Sequence, residues 1–173
     1  MQLVLLWHTD HEAIKKVLES KGVHPHKEAL LRHMVYMFSI EDISRVTTHQ
    51  LIRHRVASYD QESQRFSSAS RESFVIPPSI AERPEAVKLY DEALQVAAKT
   101  FEAMIALGVP KEDARYVMPH AIKTKLVMTL SGWSLKHIAE LRTAPEAQWE
   151  IRELVSKMYQ MAADATPDLL QQD

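Results

Sequence analysis

Three glycines, Gly22, Gly108 and Gly132, are all that the 173-residue chain contains, and cysteine is absent. Glycines so far apart cannot form either common phosphate-cradling loop, the dinucleotide GxGxxG or the nucleotide GxxxxGK type. A chain without cysteine has no disulfide, no thiolate metal site and no cysteine nucleophile. If phosphates bind here, side chains must do most of the work.

The segment suited to that work is Leu51–Arg71, LIRHRVASYDQESQRFSSASR, which gathers Arg53, Arg55, Arg65 and Arg71 with His54, several serines, Gln61 and Gln64. Arginine forks hold phosphate bidentately, and a guanidinium also stacks on a flat ring. The segment therefore reads as a site for phosphates and a planar heterocycle. Net charge is only −2, so no global basic field draws in nucleic acid or an anionic membrane, and anion binding must be local. Arg53-His54-Arg55 near the end of a helix could equally satisfy its dipole, worth about 0.3–1 kcal/mol. The polar residues that follow, with Ser63 and Arg65, shift the balance toward a ligand.

Hydrophobic content of 46% and charged content of 25% suit one soluble domain over residues 1–173. No apolar run is long enough to span a bilayer, and the N-terminus has no signal-peptide pattern, so the cytoplasm is expected. Gln2–Trp7 reads as a strand, followed by a helix over His11–Ser20 capped by Asp10 and stopped at Gly22. Met34–Ile40 reads as a second strand. Glu41 and Asp42 are expected to open a helix that runs to Arg55. The polar segment 57–73 ends in Pro77-Pro78, which should exclude a helix. Pro84 should start the longest helix, ended by Gly108, and Pro110 a short one. Alternation predicts a strand over Ala121–Leu130. Ser131-Gly132 reads as a turn, Ser134 as the cap of a helix to Arg142, and Pro145 as the start of the last helix. The sum is α+β: a helix-rich single domain with a small mixed or antiparallel sheet.

The histidines show no metal spacing. His8-x-x-His11 and His24-x-His26 lack a nearby third ligand, so no metal is expected. Trp133 and Trp149 read as core or interface residues.

At RHRVASYDQESQRF the chain resembles a known family. Arg-His-Arg, seven residues, then Ser (Arg53 to Ser63) is similar to the signature of the flavin-dependent thymidylate synthases. SRVTTHQLIRHR, ARYVMP (Ala114–Pro119), KTKLVMTL and LRTAPEAQWEIREL (Leu141–Leu154) extend the resemblance over most of the chain. It implies a homotetramer with shared active sites that binds FAD. It further implies conversion of dUMP to dTMP with methylenetetrahydrofolate as carbon donor and NADPH as reductant. The absence of cysteine agrees, because other thymidylate synthases attack the uracil ring with a cysteine.

Carried over by resemblance, Arg53, His54, Arg55, Gln61 and His137 would contact FAD. Gln50, Arg53, Gln61, Glu62, Ser63, Gln64 and Arg65 would frame the dUMP pocket, with Ser63 near the reacting pyrimidine. Arg115 would hold the nucleotide. Arg142 would meet the uracil carbonyl–N3 edge and stabilise negative charge there, so Arg142 and Ser63 are the catalytic candidates. His33 matches a histidine near the substrate side. The family usually reads Asn-Ala-Arg where this chain has Ser131-Gly132-Trp133. Losing a charged hydrogen bond to a buried ligand costs about 1.5–3 kcal/mol. That departure motivates the alternative of a non-catalytic or differently specific nucleotide-binding paralogue.

Overall fold

A computed structural model describes residues 1–63 and 71–170. Among them, β1 (Gln2–His8), β2 (Val35–Ser44), β3 (Ala57–Gln61) and β4 (Lys123–Ser131) form one sheet in the order β1-β2-β4-β3. The helices are α1 (His11–Ser20), α2 (Lys27–His33), α3 (Arg45–Leu51), α4 (Pro78–Ala81), α5 (Pro84–Ala106), α6 (Lys111–Ala114), α7 (Gly132–Arg142), α8 (Trp149–Ala165) and α9 (Pro167–Leu170). This is the α+β, helix-rich class expected. Two compact units divide the chain: Met1–Glu41, His49–Asp60 and Leu126–Asp173 form one, and Asp42–Thr48 with Gln61–Lys125 the other. No described helix is long and apolar enough to cross a membrane.

In the first unit β1 pairs antiparallel with β2, Leu3 opposite Ile40 and Leu5 opposite Phe38, with a register shift between Leu5 and Trp7. Period-two alternation turns Tyr36, Phe38 and Ile40 of β2 inward, where all three are fully buried. Leu135 and Ile138 of α7, and Ile151, Leu154, Val155 and Met158 of α8, complete that core. The Tyr36 hydroxyl bonds to the Thr166 hydroxyl just beyond α8. Asp10 caps α1 as expected, accepting from the N–H groups of Glu12 and Ala13, yet α1 buries no residue of its own.

In the second unit Phe74, Leu94 and Ile122 form a core with Tyr90, Met118 and Ala121 against it. Pro84 stands in the first turn of α5 and Gly108, at φ +84°, follows its end, as the sequence predicts.

The differences are local and have local causes. No helix begins at Glu41: β2 continues to Ser44 through Asp42, whose φ of 58° is a left-handed conformation that aspartate tolerates better than most residues. The Ser44 hydroxyl then accepts from the Thr47 N–H, and α3 starts at Arg45 and stops at Leu51. The polar segment that begins at Ala57 opens with a strand, β3, over Ala57–Gln61. Pro77-Pro78 permits the short α4, because a proline in a first helical turn has no hydrogen bond to lose. Gly132 is the first residue of α7, capped by Ser131 instead of Ser134: the Ser131 hydroxyl accepts from the Ser134 N–H at 3.1 Å. Pro145 does not open α8; the Gln148 side chain caps it by accepting from Glu150 and Ile151.

Candidate functional site

Because α3 ends at Leu51, Arg53-His54-Arg55 lies on the turn leaving the helix and not within it. The last carbonyls of a helix lack intrahelical partners. Here the Tyr59 hydroxyl of β3 supplies one, donating to Leu51 O at 2.8 Å and to His54 O at 3.0 Å. Burial pushes the Tyr59 phenol up to about 12, so it remains a donor throughout the physiological range. Tyr59→Phe removes this donor from both carbonyls, leaving Leu51 O with the His54 N–H alone among the described residues, and is expected to cost about 1–3 kcal/mol of stability in urea unfolding.

That turn buries His54 and leaves Arg53 and Arg55 exposed. The Arg142 Nε–H, in the last turn of α7, donates to His54 Nε2 at 2.8 Å. Accepting at Nε2 means that the imidazole is neutral with its proton on Nδ1. Burial first, then the charges of Arg142 and His137, hold the His54 pKa below its ordinary 6.5. Among the described residues none of Arg53, Arg55 and Arg142 is paired with a carboxylate. Gln50, half-buried, closes α3 one turn earlier, its carbonyl accepting from the Arg53 N–H. The first unit thus brings Gln50, Arg53, His54, Arg55, His137 and Arg142 onto two elements, the end of α3 and α7.

Gln61, Glu62, Ser63 and Arg115 belong to the second unit. Gln61 Nε2 donates to the Thr124 hydroxyl at 3.3 Å, and the Glu62 N–H donates to Lys125 O at 3.0 Å. The Lys125 ammonium also stands 3.8 Å from the Glu62 carboxylate. These contacts fix the C-terminal end of β3 against β4. Arg115 donates from Nε to Glu112 O. Arg45, which the sequence reading passed over, is held below its ordinary pKa by burial and by the charge of Arg115. Two guanidiniums that sense each other's charge add to the positive character of this unit. Gln64, Arg65 and the side chain of Arg71 lie outside the described residues. His33 ends α2 and faces α1 beside Thr9, Asp10, Ile14 and Leu18.

The departure at residues 131–133 has a structural reason. A Cβ on Gly132 would lie 2.9 Å from Leu31 Cδ2, 3.2 Å from Leu31 O and 3.2 Å from Tyr36 Cε2, so close packing of α2 and β2 demands glycine. The Trp133 ring carries the Arg32 guanidinium at 4.2 Å from its centroid. A guanidinium is therefore present at this place, borrowed from α2 and seated on an aromatic face. Tyr59, Arg45 and Arg32 are the positions that motif spacing alone could not find.

Residues 7–168 match the family described as thymidylate synthase complementing protein. Among similar proteins, the flavin-dependent thymidylate synthase of Geobacter sulfurreducens is 38% identical over 144 residues, covering 82% of this chain and 62% of that protein. The flavin-dependent thymidylate synthase of Pyrococcus furiosus is 46% identical over 143 residues, 79% of this chain and 57% of that protein. The Saccharolobus solfataricus protein of the same name is 42% identical, with 82% and 54% covered. The chain thus spans a little over half the length of these curated relatives. With nearly all of its residues matched by the family model, the chain belongs to the thymidylate synthase complementing protein family.

Proposed function

We propose that this chain forms a cytoplasmic homotetramer with shared active sites that methylates dUMP to dTMP, using FAD, methylenetetrahydrofolate and NADPH. The observation that carries the reading is the bond from Arg142 Nε to the buried, neutral His54. With Nε engaged, both terminal amino groups of Arg142 remain for a ligand, held in the fork geometry that reads a carbonyl–N3 edge. That fork stabilises negative charge as it develops on the uracil ring.

The donor set fits a flavin dinucleotide. Arg53 and Arg55, which have no carboxylate partner among the described residues, present cations for the pyrophosphate, and their guanidinium planes suit a flat ring. Bound FAD would supply the hydride chemistry that a chain without a cysteine nucleophile needs. Gln50 at the end of α3 and Arg53 on the turn beyond it would hold the nucleotide. Gln61, Glu62, Ser63, Gln64 and Arg65 would frame dUMP, and Arg115 would hold its phosphate.

The test is an absorbance spectrum of purified protein, taken before and after adding FAD and then dUMP, with tritium release from C5-labelled dUMP. A flavin band perturbed by dUMP, and release that requires both folate donor and NADPH, is the expected result. Protein that cannot be loaded with FAD overturns it. A second reading, a nucleotide-binding paralogue without this activity or with another specificity, is favoured by the packing around Gly132 and Trp133. Its signature is calorimetric binding of dUMP without FAD uptake.

His54 also sets a pH dependence. Its folded pKa lies below that of the unfolded chain, so the unfolded state binds more protons in the window just under 6.5. Stability contributed by the neutral ring is complete above that value and is lost as pH falls through the folded pKa. Urea unfolding from about pH 7 down to about pH 5 should show this slope, and His54→Gln should flatten it.

A further inference from the structure

The strongest unassigned cluster lies in the first unit, between the first turn of α1 and α9. His11 Nε2 is shielded from solvent and, among the described residues, has no hydrogen-bond partner. It stands 3.3 Å from Glu12 Oε1 and 3.8 Å from Asp168 Oδ2. One ligand atom from each residue lies within 4.8 Å of the other two. We propose that His11, Glu12 and Asp168 bind a divalent first-row transition ion of the Zn2+ type, clipping α1 to α9.

The geometry favours a shared ion over an ordinary ion pair. A buried nitrogen this close to two carboxylates would be expected to bond to one of them, yet the Glu12 contact at 3.3 Å makes no hydrogen bond and the Asp168 contact at 3.8 Å is too long for one. Tetrahedral ligands at Zn–N and Zn–O lengths of about 2.0–2.2 Å sit about 3.3–3.5 Å apart. The two separations from Nε2, 3.3 and 3.8 Å, lie near that spacing, and all three ligand atoms fall within 4.8 Å of one another, so small side-chain adjustments close the site. One imidazole with two carboxylates selects a transition ion, because Mg2+ and Ca2+ prefer oxygen alone. The exposed Glu12 and Asp168 leave a path for entry and a position for water.

Both sides of the site are held in place. Asp10 fixes the first turn of α1 through the Glu12 and Ala13 N–H groups. On the other side, Leu169 and Leu170 are buried, Thr166 accepts both of their N–H groups, and the Tyr159 hydroxyl donates to Leu170 O. Because α1 buries no residue, an ion joining it to α9 would add an anchorage that packing does not supply. Local histidine spacing could not show the site, since its ligands come from opposite ends of the chain.

The test uses the full chain. Calorimetry with ZnCl2 should show one site, weakened by about tenfold or more in His11→Gln and in Asp168→Asn, with MgCl2 giving no comparable binding. Hydrogen exchange should show Zn2+ protecting the amides of α1 in the unmodified chain and in neither variant. Absence of Zn2+ binding, equal binding of Mg2+, or Zn2+ affinity unchanged in both variants overturns the proposal. If a variant fails to fold, the His11 ring nitrogen resonance of the unmodified chain decides: it shifts on Zn2+ addition if the ion binds there and stays in place if it does not. None of these readouts depends on FAD or dUMP.

Discussion

An Arg142→Ala variant is expected to turn dUMP over about 100- to 1,000-fold more slowly than the parent, the range seen when one preorganised charge-stabilising donor is removed. The loss should fall mainly on kcat, because Arg142 is assigned to charge that grows in the transition state rather than to uniform binding of the nucleotide. Arg142→Lys separates charge from geometry. Lysine restores the cation but offers a point charge in place of a fork, so most of the loss should persist. In the proposed reaction His54 would act through Arg142, as a positioning residue. His54→Gln keeps an acceptor for the Arg142 Nε–H and should retain more activity than His54→Ala, which leaves Arg142 free to rotate. Equal activity of the two His54 variants would show that the bond does not position the fork. Full activity of Arg142→Ala would remove this residue from the chemistry altogether. Stability of each variant, read from urea unfolding, distinguishes lost turnover from lost fold.

The parts of the fold legible in the sequence are those whose causes are local. Proline at residue 84 and glycine at 108 bound α5 because one fits a first turn and the other adopts positive φ past the last. Alternation gave β4, and Asp10 gave the cap of α1. What could not be read depends on partners distant in sequence or on rare backbone conformations. Acidic Glu41 and Asp42 resemble a helix start, but Asp42 takes a left-handed turn that keeps β2 going to Ser44. Nothing in the polar segment marks Tyr59 until its strand carries it to the carbonyls of Leu51, at the end of α3, and His54, on the turn beyond. The site divides in the same way. Arg53-His54-Arg55 stands out as a candidate because its chemistry is concentrated in three adjacent residues. Its bond to Arg142 spans 88 residues, and only the packed α7 reveals it. His11 and Asp168 are a more extreme instance: neither suggests the other until α9 is folded back onto α1.

Gly132→Val should be among the most damaging single substitutions in the first unit, with about 3 kcal/mol of lost stability. The helical position itself favours a side chain, since glycine in a helix is worse than alanine by roughly 0.5–1 kcal/mol. Sterics oppose it. The added Cβ meets Leu31 Cδ2 at 2.9 Å, Leu31 O at 3.2 Å and Tyr36 Cε2 at 3.2 Å. Leu31 and Tyr36 are both essentially fully buried, so neither can swing into solvent, and the carbonyl can move only with α2. Gly132→Ala should therefore lose only about 1–2 kcal/mol net, while the two further methyl groups of valine force the helices apart. For a chain of this size 3 kcal/mol corresponds to a fall in Tm of about 6–12 °C. If the cause is this contact, a Leu31→Ala background must shrink the penalty of Gly132→Val, because the two substitutions share one volume and their effects cannot add. Full additivity would place the cost elsewhere. Displacing α2 would also withdraw Arg32 from Trp133, so the same variant should blue- or red-shift the Trp133 fluorescence in the folded state. In this chain the identity of residue 132 is set by how closely α2 approaches α7, and the guanidinium that Arg32 lays on Trp133 depends on that approach being kept.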